Sequence, residues 1–407
     1  MYSIGRIPAS LRSFFAPRRA TFSKPAWRHF SGLVLAFALG TVHTVDRLNH
    51  LLRGHSHRTK DGEFLWKSHW DESWVLQQTA LDTLRRLHRK GEPIYLILDD
   101  TQTLKRAKRM AGVGTIFHHA EKRYVTGHTI LKACLVYRGV TIPWASVLYV
   151  KKQHTGGLNV PFKKLTELAA DVIGEAPLAD GPGVTVLFDS FYLCPTVVEA
   201  VLFRDWHYIG VGKGNRRFVT SGQRHRLDRY GRNVLQRSGQ WMTIEGPRKR
   251  RTCRVAERVG TLKGLGEVRV VFSRRKEDRD GFALVTNDLS RPARRVVADY
   301  LLRWSIELLI KDEKQHLGLG DYRVLRYRAV VRHLHLVDIA YACLTHVGLR
   351  AQRAQGETKT KRVLRLPPIR QLKADLERMI WRDTVEAVVR VSHDRRVVRR
   401  LERLMAA

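Results

Sequence analysis

The residues of this chain with the clearest capacity for chemistry are acids set among cations. On a helical projection Tyr300, Arg303, Glu307, Lys311 and Lys314 lie at offsets of 0, 3, 7, 11 and 14, which at about 100° per residue form one narrow stripe. Leu301, Leu302, Ile306 and Leu309 fall on the other side and predict a core-facing surface. Glu307 is then a lone carboxylate among four polar or cationic groups, a pattern that a solvated, salt-bridged helix face would also produce. A break near Trp304 would take Tyr300 and Arg303 off the stripe and leave Glu307, Lys311 and Lys314 on it.

Two apolar runs supply candidate partners for Glu307. Ile94 to Leu98 is continuously apolar, as in a strand buried on both faces, and it is predicted to stop at Asp99 and Asp100. Val184 to Phe188 reads the same way and ends on Asp189. Three carboxylates gathered at the end of a sheet can hold two divalent cations, one activating water or a sugar 3′-hydroxyl and the other stabilising the leaving oxygen. Hard oxygen ligands without Cys or His select Mg²⁺, with Mn²⁺ as a substitute.

Charge points to the partner of such a site. Among 407 residues, 74 Lys and Arg face 38 Asp and Glu, a net +36. That field attracts polyanions, and it would let a site of three negative charges accept a nucleic acid. The longest apolar stretch, from Leu33 to Leu39, is too short to span a bilayer and leads into His43 and Asp46, so no membrane partner is expected. The four cysteines form no CxxC pair, which excludes a zinc ribbon or disulfide framework and implies a reducing compartment, and a cytoplasmic, nucleoid-associated location is expected. A phosphate loop at 210–214 fails because His207 stands where its first Gly belongs.

Composition and periodicity divide the chain. Residues 1–26 read as a basic arm and 27–90 as a helical DNA-binding domain, for which a plain helical cap on the next domain is the alternative. Strand patterns begin near Pro93, and Thr129–Tyr137 and Val140–Val150 form a meander turned at Arg138 and Gly139. Residues 91–209 make the first part of a catalytic core and 282–350 the second part, which carries the Glu307 helix. Between them, 210–281 is a β-rich basic insertion in which thirteen Lys or Arg within 213–254 meet two acids. Such a surface suits phosphate contacts, with an aromatic able to stack on a base. Residues 351–407 form a helical region suited to dimerisation, with two amphipathic helices over 367–404.

The string from Tyr300 to Lys314 matches YxxRxxxExxxxxxK in full and so resembles the cut-and-paste group of DDE transposases of bacterial insertion sequences. Asp100-Thr101 looks like that family's first catalytic motif, and Leu187-Phe188-Asp189 looks like its second. The resemblance implies an α/β fold with an RNase H-like core, a mixed sheet flanked by helices, interrupted by the insertion. It assigns Asp100, Asp189 and Glu307 as catalytic metal ligands, choosing Asp100 over Asp99 by the Asp-Thr match alone. It also implies that Tyr300, Arg303, Lys311 and Lys314 grip phosphates beside the scissile bond of double-stranded DNA. The insertion's Arg248, Lys249, Arg250 and Arg251 would bind DNA, and Trp241 is the candidate to hold a flipped base. The implied activity is Mg²⁺-dependent cleavage at transposon terminal repeats, often through a hairpin, followed by strand transfer into target DNA by a homodimer in a paired-end complex. A stand-alone nuclease of the same fold, or an inactive DNA-binding remnant, are the rival readings.

Overall fold

The computed structural model describes residues 7–391 apart from 53–56, 108, 119–120, 247–249 and 279–280, together with 396 and 399. The chain opens with helices α1 (Arg12–Phe15), α2 (Lys24–Leu39), α3 (Val45–Leu51), α4 (Arg58–Lys67) and α5 (Glu72–Leu87). Caps start them where the sequence supplies acceptors: Ser23 accepts from the Ala26 N–H, and Asp71 from the Trp74 N–H at 2.9 Å. Helix α2 buries Phe30, Leu33, Val34 and Phe37 in one hydrophobic cluster with Ile97 and Ile130 of the sheet and Leu334 of a later helix. The segment thus covers one face of the sheet, and the described part of the basic arm joins it by burying Leu11, Phe14 and Phe15.

Strands β1 (Ile94–Leu104), β2 (Gly114–His118), β3 (Arg123–Tyr137) and β4 (Val140–Tyr149) follow. Arg138 and Gly139, both at positive φ, make the β3–β4 turn. One expectation fails here: β1 does not stop at Asp99 and Asp100. It runs on to Leu104 because β3 pairs with it from Tyr95↔Val136 to Leu104↔Gly127, so ladder hydrogen bonds hold both aspartates in extended backbone. Helices α6 (Lys152–Leu158) and α7 (Leu165–Gly174) lead to β5 (Val184–Phe188), α8 (Pro195–Phe203) and β6 (His207–Gly212). Strands β1, β5 and β6 are parallel, β3 is antiparallel to β1, and the order β4-β3-β1-β5-β6 is that of an RNase H-like core.

The basic segment contributes β7 (Arg217–Thr220), β8 (Gln223–Arg226), α9 (Leu227–Ser238), β9 (Gln240–Glu245), β10 (Arg250–Leu262) and β11 (Gly266–Arg275). It extends the core sheet, since β12 (Phe282–Thr286) pairs with both β11 and β6 and joins everything into twelve strands. Helix α10 (Ala293–Tyr300), a 3₁₀ turn over Leu301–Arg303 and α11 (Trp304–His316) come next. Then α12 (Tyr327–Ala354) is buried along most of its length, followed by α13 (Glu357–Thr360) and α14 (Ile369–Val391). Helix α14 buries Leu372, Leu376 and Ile380 in the α2–α12 cluster. It is one helix through Val391 where two were expected over 367–404, and most of the remainder lies outside the described residues. Among the described residues no helix is long and apolar enough to cross a membrane.

The sheet separates two cores. Tyr95 and Ile97 of β1 face the side packed by α2, α11 and α12, while Leu96 and Leu98 face the side packed by α7, α8 and α9.

Candidate active site

Side chains alternate across a strand, so Asp99 continues the Tyr95–Ile97 face and Asp100 the Leu96–Leu98 face. Helix α11 packs on the Asp99 face through Ile306, Leu309 and Ile310. The 3₁₀ turn does break the predicted stripe ahead of Trp304, yet Arg303 still reaches Glu307 one helical turn on. Its guanidinium donates to Asp99 Oδ2 at 3.0 Å and to Glu307 Oε1. Parallel pairing of β1 with β5 reaches Ile97↔Leu187, and continuing it two residues sets Asp99 beside Asp189. There the chain leaves the sheet in a tight turn, with Asp189 Oδ1 accepting from the N–H groups of Phe191 at 2.8 Å and Tyr192 at 3.3 Å.

The electrostatics follow from that crowding. Burial pushes the Asp99 carboxyl up to about 6, the charges of Asp189 and Asp100 add to the rise, and Arg303 opposes it. Asp100, the residue the Asp-Thr match selects, points the other way and accepts a hydrogen bond from the Tyr192 hydroxyl at 3.1 Å. The face shared by Arg303 and Glu307 therefore receives Asp99.

The remaining expected site residues scatter. Lys314 donates to the Gln102 carbonyl at 2.9 Å and ties α11 to β1, and burial holds its ammonium below the ordinary lysine range. Tyr300 is half-buried with its ring 6.0 Å from the Arg303 guanidinium carbon, and Lys311 is exposed. Trp241 is 51% exposed, but its neighbours Met242 and Ile244 pack on the α10 side. It therefore faces the opposite side of the sheet from Glu307, beside Arg254 across the β9–β10 pair. Arg250 ion-pairs with Glu245 at the surface and Arg251 is half-buried, while Arg248 and Lys249 lie outside the described residues.

Could this arrangement hold a metal? The donors on the Asp99 face are carboxylate oxygens throughout, which is the chemistry of a Mg²⁺ or Mn²⁺ site. Arg303 bridges two of them, pairing with both Asp99 and Glu307. Among the described residues no three His, Cys, Asp or Glu side chains stand close enough to share one ion. The residue types fit a divalent cation, and the spacing is that of an arginine-paired site.

A second cluster escaped sequence reasoning. Lys132 sits opposite Asp99 in the β1–β3 register and is fully buried. Its ammonium lies 2.5 Å from Asp338 Oδ1 of α12 and 2.8 Å from Glu313 Oε2 of α11, and it donates to Ser146 Oγ at 2.8 Å. Ser146 in turn donates to Asp338 Oδ2 at 2.5 Å. The Lys132–Glu313 contact has ion-pair distance without hydrogen-bond geometry, so neither Glu313 oxygen has a hydrogen-bond partner. Burial pushes the Glu313 carboxyl well above its ordinary range and the neighbouring Asp338 adds to the rise, while Lys132 opposes it. Lys132 and Asp338 each interrupt an apolar run, and that interruption was the available signal, whereas Glu313 stands among Lys311, Asp312 and Lys314 and gave none.

Residues 19–259, more than half of the chain, match the family model described as DDE superfamily endonuclease. That stretch contains Asp99, Asp100 and Asp189, whereas Glu307 lies beyond it. Over 70 residues the chain is 41% identical to a protein of Sinorhizobium fredii (strain NBRC 101917 / NGR234) named "Putative transposase y4zB", a match covering 17% of this chain and 20% of that relative. The match thus spans about a fifth of the relative's length.

Proposed function

The chain belongs to the DDE superfamily endonucleases, and from that premise we propose that it is a DNA transposase, cutting double-stranded DNA at transposon ends and joining the freed 3′ end to target DNA. The observation that carries this reading is the gathering of Asp99, Asp189 and Glu307 on one face at the end of the central strands, with Arg303 among them. Those three carboxylates would hold the divalent metal, Mg²⁺ with Mn²⁺ substituting, with Asp99 taking the place that the motif match gives to Asp100. When bound, the metal supplies activation of the attacking oxygen and stabilisation of the leaving one.

The chain's own residues provide the rest. Arg303 neutralises the acids before substrate arrives and is positioned to turn its guanidinium to a phosphate, for which its planar fork is suited. Lys311, exposed one turn beyond Glu307, adds a phosphate contact. Lys314 holds the helix to β1 through Gln102 and keeps Glu307 over the strand end. Two DNA ends must be held together for joining, which supports a homodimer as the working form.

The test incubates purified protein with DNA carrying its native flanking sequence in Mg²⁺ or Mn²⁺, beside Asp99→Asn, Asp100→Asn, Asp189→Asn and Glu307→Gln. Discrete nicks and joined products from the wild type, lost in the Asp99, Asp189 and Glu307 variants and kept in Asp100→Asn, support the whole reading. Nicks without joined products from pre-cut ends would leave a nuclease and remove strand transfer. An inactive Asp100→Asn beside an active Asp99→Asn would return the metal site to the motif's choice. Full cleavage by Glu307→Gln would overturn the three-carboxylate site altogether.

A further inference from the structure

The far edge of the sheet carries a concavity of about 510 Å³, lined by Arg224, Arg226, Arg229, Arg237 and Arg258 and by no acidic residue. Its wall is built by the amphipathic helix α9, which buries Leu227, Val234 and Leu235 and turns Arg229 and Arg237 outward. Its floor is the short β7–β8 hairpin. Arg226 pairs with Asp228, and Arg258 donates to Ser238 at 3.0 Å. Among the described residues Arg224, Arg229 and Arg237 are exposed and make no ion pair. Shielding an edge strand from unwanted pairing takes a charge or two. Five arginines around one hollow repel one another, and a polyanion relieves that repulsion.

The register locates this hollow relative to the carboxylates. Phe188, the residue before Asp189, pairs with Gly210, which pairs with Val285, then Val270, then Arg258, one straight row across five strands. At about 4.8 Å per strand the row carries Arg258 about 19 Å from β5, and Arg224 on β8, two strands further and in register with Thr261 three residues along β10, lies about 31 Å away. These are path lengths across a twisted sheet, so they bound the straight separation from above. At about 3.4 Å per base pair they correspond to roughly six to nine base pairs.

We propose that this arginine-lined hollow binds the phosphate backbone of duplex DNA flanking the bond cut at the carboxylate site. The assignment rests on the endonuclease reading for its partner and adds a second anchoring point within one turn of duplex. The contact is to backbone, because guanidinium groups facing an open hollow meet phosphates without reading base edges.

The test measures binding of a fluorescent 30-base-pair mixed-sequence duplex by anisotropy between 50 and 200 mM NaCl, without metal. The probes are the wild type, the triple variant Arg224→Gln/Arg229→Gln/Arg237→Gln, and the same positions changed to Lys. Losing three phosphate contacts lowers the slope of log affinity against log salt by about 2.7, so over this interval the wild type loses ~40-fold more affinity than the Gln variant. The Lys variant keeps the wild-type slope, and a thermal melt of each protein shows that the fold is intact. An unchanged slope in a folded Gln variant overturns the proposal. Because the readout is binding, it is independent of cleavage: a wild type that binds with the predicted slope but never nicks would refute the endonuclease reading and leave the hollow as a DNA site.

Discussion

Replacing Lys132 with Met should be among the most costly single changes in this protein. The side chain has no exposed surface and neutralises two carboxylates brought to it by different helices. Methionine keeps the volume and removes the charge, leaving Asp338 with Ser146 as its remaining donor and Glu313 facing it. Breaking a buried pair by deleting one partner costs about 3–5 kcal/mol, roughly a hundred- to several-thousand-fold in the folded-to-unfolded ratio. The pH dependence adds a second signature. Glu313 is held above its ordinary value in the folded protein, so its contribution is present below the unfolded value near ~4.3 and is lost as pH rises through the folded one. Without the lysine that rise steepens, and the penalty should be larger at pH 8 than at pH 5. Urea unfolding of wild type and Lys132→Met at both pH values measures this, and adding Asp338→Asn to the variant should recover more than half of the loss by leaving a neutral, hydrogen-bonded core. A loss below about 1 kcal/mol, or one identical at the two pH values, would refute the description of this cluster as a charge-compensated clamp under α11.

Other outcomes follow from the same geometry. Gly210→Ala would drive a methyl group into the buried Phe188 ring and to 3.2 Å from Leu193 Cδ1, so it should lower stability by about 1–3 kcal/mol, measured by thermal melting. Because Phe188 leads into Asp189, nicking should fall further than stability alone explains. The raised Asp99 carboxyl predicts proton competition with metal: its folded value of about 6 exceeds the unfolded one near ~3.9, so a proton is bound below that window and lost as pH rises through about 6. Stabilisation by added Mn²⁺ should accordingly be larger at pH 7.5 than at pH 5, and Asp99→Asn should flatten that difference in a thermal-shift titration.

Much of the core was legible from patterning. The strand at Val184–Phe188 appears where the apolar run predicts it, because a strand covered on both faces must be apolar throughout. The β3–β4 hairpin is likewise where Arg138 and Gly139 announce it. The end of β1 was not legible. Its buried run breaks at Asp99, but strand length is set by the partner, and β3 keeps pairing as far as Leu104. The continuity of the insertion with the core sheet was hidden for the same reason, since a strand's neighbours come from distant parts of the chain.

By itself the sequence determined the chemistry available: an acid-bearing helix of a specific motif, two strands running into aspartates, an excess of positive charge and no thiol or imidazole metal frame. These are properties of residue type and local period, which need no tertiary partner. The structure decided which acids meet. Asp99 and Asp100 are neighbours in the chain and opposites in space, because alternation sends one toward Arg303 and Glu307 and the other toward Tyr192. It also decided that Lys132, Glu313 and Asp338 are one group. Packing of α11 and α12 onto β3 alone brings those three charges together, and burial then makes their mutual compensation obligatory.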